Sequence, residues 1–262
     1  MRVAVAGVEA YAYTGSRTFD AAHPTVVFVH GAANDHSVWA LQSRYFAHHG
    51  RNVIAVDLPG HGRSAGTPLP SVEALAAWLG TLIEAIGGRA VALVGHSMGA
   101  LAALECAAAR PALVERLALL GPAAPMAVSE ALMDAALRDD HAAIDMIVGW
   151  SHAPAALLGG HPVPGLWMPG CATRLLERAA PGVLAADLAA CAAYANGVAA
   201  AGRVACPARV ITAQRDLMAP PRTAQPLIEA MRDARVVALP NCGHAMTTEA
   251  PDRVLDALVA FL

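Results

Sequence analysis

Three residue types in this 262-residue chain could together perform acyl transfer, and they occur in the order Ser97, Asp216, His244. A serine hydroxyl is nearly inert at neutral pH until a base removes its proton as it attacks. Histidine, with an unperturbed pKa of roughly 6.5, can take that proton and hand it to a leaving group. A carboxylate on the other ring nitrogen fixes the tautomer and stabilises the imidazolium that forms. The order serine, acid, histidine is one of three known for such a set, and it goes with a serine carried on a sharp strand-to-helix turn.

The stretch around Ser97 has the composition for that turn. Val91-Ala92-Leu93-Val94 is a strand-like apolar run that stops at Gly95-His96-Ser97-Met98-Gly99, and an alanine-rich helical pattern follows to Ala109. A serine held at positive φ needs neighbours two residues away with almost no side chain, which Gly95 and Gly99 supply. The oxyanion of a tetrahedral intermediate needs two backbone donors. The N–H of Met98, directly after the serine, is one; the loop after the strand ending at His30 supplies the other, assigned to Ala32. Loss of one such donor typically costs about 2.7–4 kcal/mol of barrier.

The elements that must hold these groups alternate along the chain. Arg2 to Gly15 reads as a two-stranded antiparallel start turning near Gly7. Thr25–His30 and Asn52–Leu58 read as buried strands, and Val91–Val94, Arg116–Gly121, Pro207–Gln214 and Ala234–Pro240 as further strands. Helical spacing falls at 38–49, 74–86, 100–109, 222–232 and 251–262, with Ser71 as a cap for the second. Strand and helix alternating with short connections imply an α/β fold: a mostly parallel sheet with helices on both faces and the ligand beyond the carboxyl ends of the strands. Ser97, Asp216 and His244 all follow strands.

Between residues 125 and 205 the rhythm breaks. Helical stretches at 129–137, 142–150, 171–179 and 183–195 are separated by Pro154, Pro162, Pro164, Pro169 and Pro181, with no convincing strand. The expectation is a core of 1–124 and 206–262 with a helical cap over 125–205. Its Met126, Met133, Met146, Trp150, Trp167 and Met168 are expected to divide between packing within the cap and lining a pocket.

Composition excludes several function classes. Net charge is −3 and the arginines are scattered singly, with no lysine at all, so nothing points to nucleic acid. Hydrophobic residues make up 56% of the chain, but alanine supplies the excess and no run reaches the roughly 18 residues of a membrane span. No signal peptide is evident, so a cytoplasmic location is expected. The five cysteines lack paired spacing and read as buried thiols. Cys242 beside His244 is too small a set for a metal site, and no cofactor or metal is expected. Oligomeric state is not legible.

Taken together, His30-Gly31-Ala32, Asp57-Leu58-Pro59-Gly60-His61-Gly62-Arg63-Ser64, Gly95-His96-Ser97-Met98-Gly99, Arg215-Asp216 and Gly243-His244 make the chain resemble the α/β-hydrolase fold family. The resemblance implies an eight-stranded core with a helical cap between the sixth and seventh strands. It also implies Ser97, Asp216 and His244 as catalytic triad, with Ala32 and Met98 as oxyanion donors. Epoxide hydrolases and haloalkane dehalogenases of the family carry an aspartate where Ser97 stands. Hydroxynitrile lyases of this fold use a lysine that the chain lacks.

The expected activity is hydrolysis of a small, largely apolar carboxylic ester through an acyl-enzyme. The same triad could serve a lactone, thioester or carbon–carbon bond, or acyl transfer; a ligand receptor on a hydrolase scaffold is a rival of another class. Asp216 has a second reading, as a cap for the helix after Pro220-Pro221. Asp57, His30 and His61 read as organisers of their loops rather than as catalysts.

Overall fold

A computed structural model describes residues 1–20, 22–161 and 165–262, so Pro162 and Pro164 lie outside the described residues. Strands β1 (Arg2–Val5) and β2 (Val8–Tyr13) form a hairpin. Ala6 and Gly7 at its turn have φ of 51° and 81°, the positive pair that matches a two-residue turn to the strand twist. The sheet continues through β3 (Thr25–Val29), β4 (Asn52–Val56), β5 (Val91–His96), β6 (Val114–Leu120), β7 (Ala208–Ala213) and β8 (Ala234–Leu239). The eight strands run in the order β1-β2-β4-β3-β5-β6-β7-β8, antiparallel at the hairpin and at β2–β4, parallel elsewhere.

Side-chain alternation along the central strands decides which face each residue serves. Val27, Val29, Val91 and Leu93 join one apolar core, while Val26, Phe28, Ala92 and Val94 join the other. On the first face lie α2 (Val72–Ala85) and α3 (Met98–Ala109); on the second lies α1 (Ala40–His48), preceded by a 3₁₀ turn over His36–Trp39. Ser71 caps α2 by accepting from the Ala74 N–H at 3.2 Å. Because both faces of the central strands are covered, their sequences are near-continuous apolar runs.

The stretch between β6 and β7 is helical: α4 (Glu130–Leu137), α5 (Ala142–Ser151), α6 (Pro154–Leu157), α7 (Met168–Leu176), α8 (Val183–Ala193) and α9 (Gly197–Arg203). Helix α7 begins three residues ahead of the expected start, because Pro169 fits the first turn, where no backbone N–H is needed. Helices α4, α5 and α8 build a small core of their own around Leu132, Ala143 and Leu188. The far end of α8 and one face of α9 turn into the main core, where Tyr194, Ala200 and Ala201 are buried. There the buried carboxylate of Glu105 on α3 accepts from Tyr194 Oη at 2.6 Å and Asn196 Nδ2 at 2.8 Å. Helices α10 (Pro221–Ala230), α11 (Met246–Glu249) and α12 (Pro251–Val259) complete the chain. Among the described residues, no single helix is long and apolar enough to cross a membrane.

Candidate active site

The turn between β5 and α3 holds Ser97 at φ 55° and ψ −120°. This left-handed backbone is strained for a residue with a Cβ and is sustained by its surroundings. Two close approaches show why glycine flanks it. A Cβ on Gly95 would collide with the backbone of Gly99 and Ala100, and one on Gly99 would collide with the carbonyls of Val29 and His30. The Ser97 N–H donates to the Leu120 carbonyl at 2.9 Å, tying the turn to the end of β6. Met98 opens α3, so its N–H is among the first four of a helix, which have no intrahelical acceptor.

Asp216 and His244 come from the loops after β7 and β8. The ring Nδ1–H of His244 donates to Asp216 Oδ2 at 2.7 Å, with both side chains buried. The other carboxylate oxygen of Asp216 accepts the Ala219 N–H at 2.7 Å, which closes its own loop. Helix α10 begins after Pro220 with no side-chain cap, so Asp216 is not its capping residue. With Nδ1 donating to Asp216, Nε2 is the ring nitrogen left to exchange a proton with a substrate. Gly121 leaves room for the ring: a Cβ there would stand 3.0 Å from His244 Cε1.

Ser97, His244, Gly31 and Ala32 line one cavity of about 480 Å³. Its remaining wall is mostly apolar and comes mainly from the helical insert, including Met126, Leu132, Ile147, Trp150 and Leu188, with Leu217, Met218 and Ala219 added by the loop after β7. A second cavity of about 380 Å³ meets it at Asn34, His96, Ile147 and His244, and Met168 lies in its wall. Of the insert's other large residues, Met133 and Met146 pack against the small core of α4, α5 and α8, and Trp167 is 66% exposed.

The Ala32 peptide is oriented by a histidine. The Leu58 N–H donates to His30 Nε2 at 3.1 Å, so that nitrogen is unprotonated and Nδ1 carries the hydrogen. Nδ1 then donates to the Gly31 carbonyl at 2.8 Å. A planar trans peptide points its N–H opposite its C=O, so this bond fixes the direction of the Ala32 N–H. Burial, with the charge of His61 second, pushes the His30 pKa down to about 4, so the ring is neutral near pH 7.

His96 was not singled out by the sequence. Its Nε2–H donates to the His244 carbonyl oxygen at 2.9 Å, and burial, then the nearby His244, push its pKa down to about 3. The neighbouring glycines and serine account for the Gly95–Gly99 motif without it, so no local signal marked it.

Asp57 organises its loop. It accepts from the His36 N–H at 2.7 Å, His36 Nδ1 at 2.8 Å and the Arg63 N–H at 2.9 Å. Burial opposes its charge, and these hydrogen bonds prevail and hold its pKa below the usual value. Asp35, His36 and Asp57 stand close enough to consider as metal ligands. Their oxygens are already engaged, however: Asp35 accepts from the Ser37 N–H at 2.8 Å and faces Arg178 at 3.2 Å. Cys242 is a buried thiol whose pKa burial pushes up to about 12.

The alpha/beta hydrolase family model matches residues 26–257, nearly the whole chain. The chain belongs to the alpha/beta hydrolase family. It is 28% identical over 247 residues to the (E)-2-((N-methylformamido)methylene)succinate hydrolase of Acinetobacter baylyi, covering 90% of this chain and 89% of that one. It is 30% identical over 246 residues to a pimeloyl-[acyl-carrier protein] methyl ester esterase of Aromatoleum aromaticum, covering 87% and 94%. Among solved structures, the enol-lactonase of Burkholderia xenovorans LB400 superposes with a TM-score of 0.88 at 25% identity, over 100% of this hydrolase and 99% of that chain.

Proposed function

We propose that this α/β hydrolase cleaves a small, largely apolar carboxylic ester through an acyl-enzyme on Ser97. The observation that carries the reading is the 2.7 Å hydrogen bond from His244 to Asp216 at the wall of a cavity that Ser97 also lines. In the proposed sequence, Ser97 Oγ attacks the ester carbonyl while His244 Nε2 takes its proton. The N–H groups of Ala32 and Met98 receive the oxyanion. Collapse of the tetrahedral adduct breaks the bond to the alcohol, which leaves with the proton from His244. Water then attacks the acyl group, again giving its proton to His244. Collapse of the second adduct frees the carboxylic acid and returns the proton to Ser97. The helices of 125–205 act as the cap that shapes the acyl arm, and their apolar lining favours an apolar acyl group.

Two of the relatives support bond type. One is named a methyl ester esterase and another an enol-lactonase. A lactone is an internal ester, so the second name supports a reading in which alcohol and acid remain joined in one product. A fluorophosphonate probe tests the nucleophile: wild type should label and Ser97→Ala should not. Absence of label, or equal label on both proteins, rejects the mechanism and favours a binding protein on this scaffold. Turnover of p-nitrophenyl esters against that of simple lactones then separates the two substrate classes.

A further inference from the structure

Asp187 belongs to α8 in the helical insert, yet its carboxylate reaches two loops of the core: the one after β3, whose Gly31 and Ala32 line the cavity, and the one after β4 that carries His61. Its Oδ2 accepts the Ala33 N–H at 2.8 Å and lies 2.8 Å from His61 Nε2. All three residues are buried, Asp187 to 1% exposure. Ala33 itself has a φ of 53°, an unfavourable backbone for alanine, and directly follows Ala32. Its methyl group packs with Val148 of α5 and Leu176 of α7, so the insert grips this strained residue by both side chain and backbone.

The hydrogen bonds of His61 favour its charged form. Nδ1 faces the Pro59 carbonyl oxygen at 3.0 Å and Nε2 faces the Asp187 carboxylate. Both partners can accept from the ring, an arrangement that favours both nitrogens donating and the imidazolium form. Burial opposes that charge; the hydrogen bond and charge of Asp187, with the Pro59 carbonyl, outweigh it and raise the pKa. Other charged or titratable groups also face the pair. Neutral His30 has its ring 5.0 Å away, Asp57 lies in the loop after β4, and the Asp35–Arg178 ion pair lines a small cavity beside His61.

We propose that Asp187 and His61 are positioning residues: their buried ion pair holds the Gly31–Ala33 loop so that the Ala32 N–H is set to receive an oxyanion. The insert is then part of the catalytic apparatus, not a detachable cover. The inference rests on the reading of Ser97 as nucleophile and Ala32 as oxyanion donor. A strained loop relaxes when its anchor is removed, and a donor displaced by an ångström loses most of its effect on the transition state while ground-state binding persists.

The test uses Asp187→Asn and His61→Gln in the full chain, with rates normalised to phosphonate-titrated Ser97. On p-nitrophenyl butyrate, kcat should fall about 10–100-fold with KM within about threefold of wild type. Affinity for an alkyl boronic acid, which forms a tetrahedral adduct on serine, should fall in step with kcat. Inhibition by butyrate, which lacks that geometry, should stay within about threefold. Variants that melt at lower temperature but keep wild-type kcat and boronate affinity overturn the proposal and leave the pair a structural tie. Where a variant does not fold, the wild type decides: nitrogen-15 spectra at pH 7 should show His61 protonated on both ring nitrogens. Boronate affinity should then decline as that proton is lost at alkaline pH. A neutral His61 at pH 7, or boronate affinity indifferent to its titration, overturns the proposal. A wild type that neither turns over esters nor labels at Ser97 defeats the hydrolase reading itself, which is seen before any variant is compared.

Discussion

The Nε2–H of His96 donates to the carbonyl oxygen of His244 across 2.9 Å, and the two rings lie 4.8 Å apart. The residue before Ser97 therefore anchors the loop that carries His244, joining two residues 148 positions apart in sequence. His96→Ala removes this donor and leaves the His244 carbonyl with the Met246 N–H alone, at 2.8 Å, so the lost hydrogen bond costs about 0.5–1.5 kcal/mol of stability. Turnover should fall at least about tenfold, while His96→Gln, which can donate from its amide, recovers part of the loss. Urea denaturation and ester turnover on the same preparations check both effects; wild-type turnover in His96→Ala would remove the anchoring role.

Asp216 uses one oxygen for His244 and the other for the Ala219 N–H. Asp216→Asn keeps an acceptor for Ala219 and so keeps the loop, but turns an amide toward His244 and favours the wrong tautomer. By the behaviour of other triads, kcat should drop on the order of 10³–10⁴-fold with folding intact. A decrease of no more than about threefold removes Asp216 as the orienting acid.

Acid should destabilise the fold well before the carboxylates titrate. His30 and His96 have folded-state pKa values pushed down to about 4 and about 3, against 6.5 for an unhindered ring. Between those values the unfolded chain binds protons that the folded chain refuses. Stability present above pH 6.5 is therefore lost as pH falls towards 4, with a slope on the order of 2–3 kcal/mol per pH unit near pH 5 from these two rings. His61 runs the other way: its raised pKa contributes stability below 6.5 that is lost as pH rises through its folded-state value. Asp57, whose pKa is lowered, adds a loss below its ordinary 3.8. Unfolding free energies from urea titrations between pH 4.5 and 9 should trace this dome. A flat profile from pH 7 to 5 would mean that the two histidines are not buried neutral.

Trp150 forms part of the apolar wall of the 480 Å³ cavity. Trp150→Ala should shift the preferred p-nitrophenyl ester towards longer acyl chains. The ratio of kcat/KM for octanoate over acetate should rise about tenfold, since each buried methylene is worth about 0.8 kcal/mol. An unchanged ratio would place the acyl chain in the second cavity instead.

Much of the fold was legible because its signals are local. The Thr25–His30 and Val91–Val94 runs are apolar on both faces because helices cover both sides of the sheet, and Gly95 and Gly99 advertise the turn whose φ is 55° at Ser97. Helix α9 escaped notice because Gly197-Val198-Ala199-Ala200-Ala201-Gly202-Arg203 carries no cap and too few large apolar residues to show a period. Helix α11, at four residues, is one turn set by its neighbours.

The sequence by itself determined the alternation of strand and helix, the strained serine turn and which loops end in Asp216 and His244, because each depends on residues a few positions apart. Only the tertiary structure decided that Asp216 turns an oxygen to His244 instead of capping α10, that His96 anchors His244, and that Asp187 reaches His61 across 126 positions. Those bonds depend on how separate elements pack, and an aspartate on an alanine-rich helix looks the same in sequence whether it meets water or a buried imidazole ring.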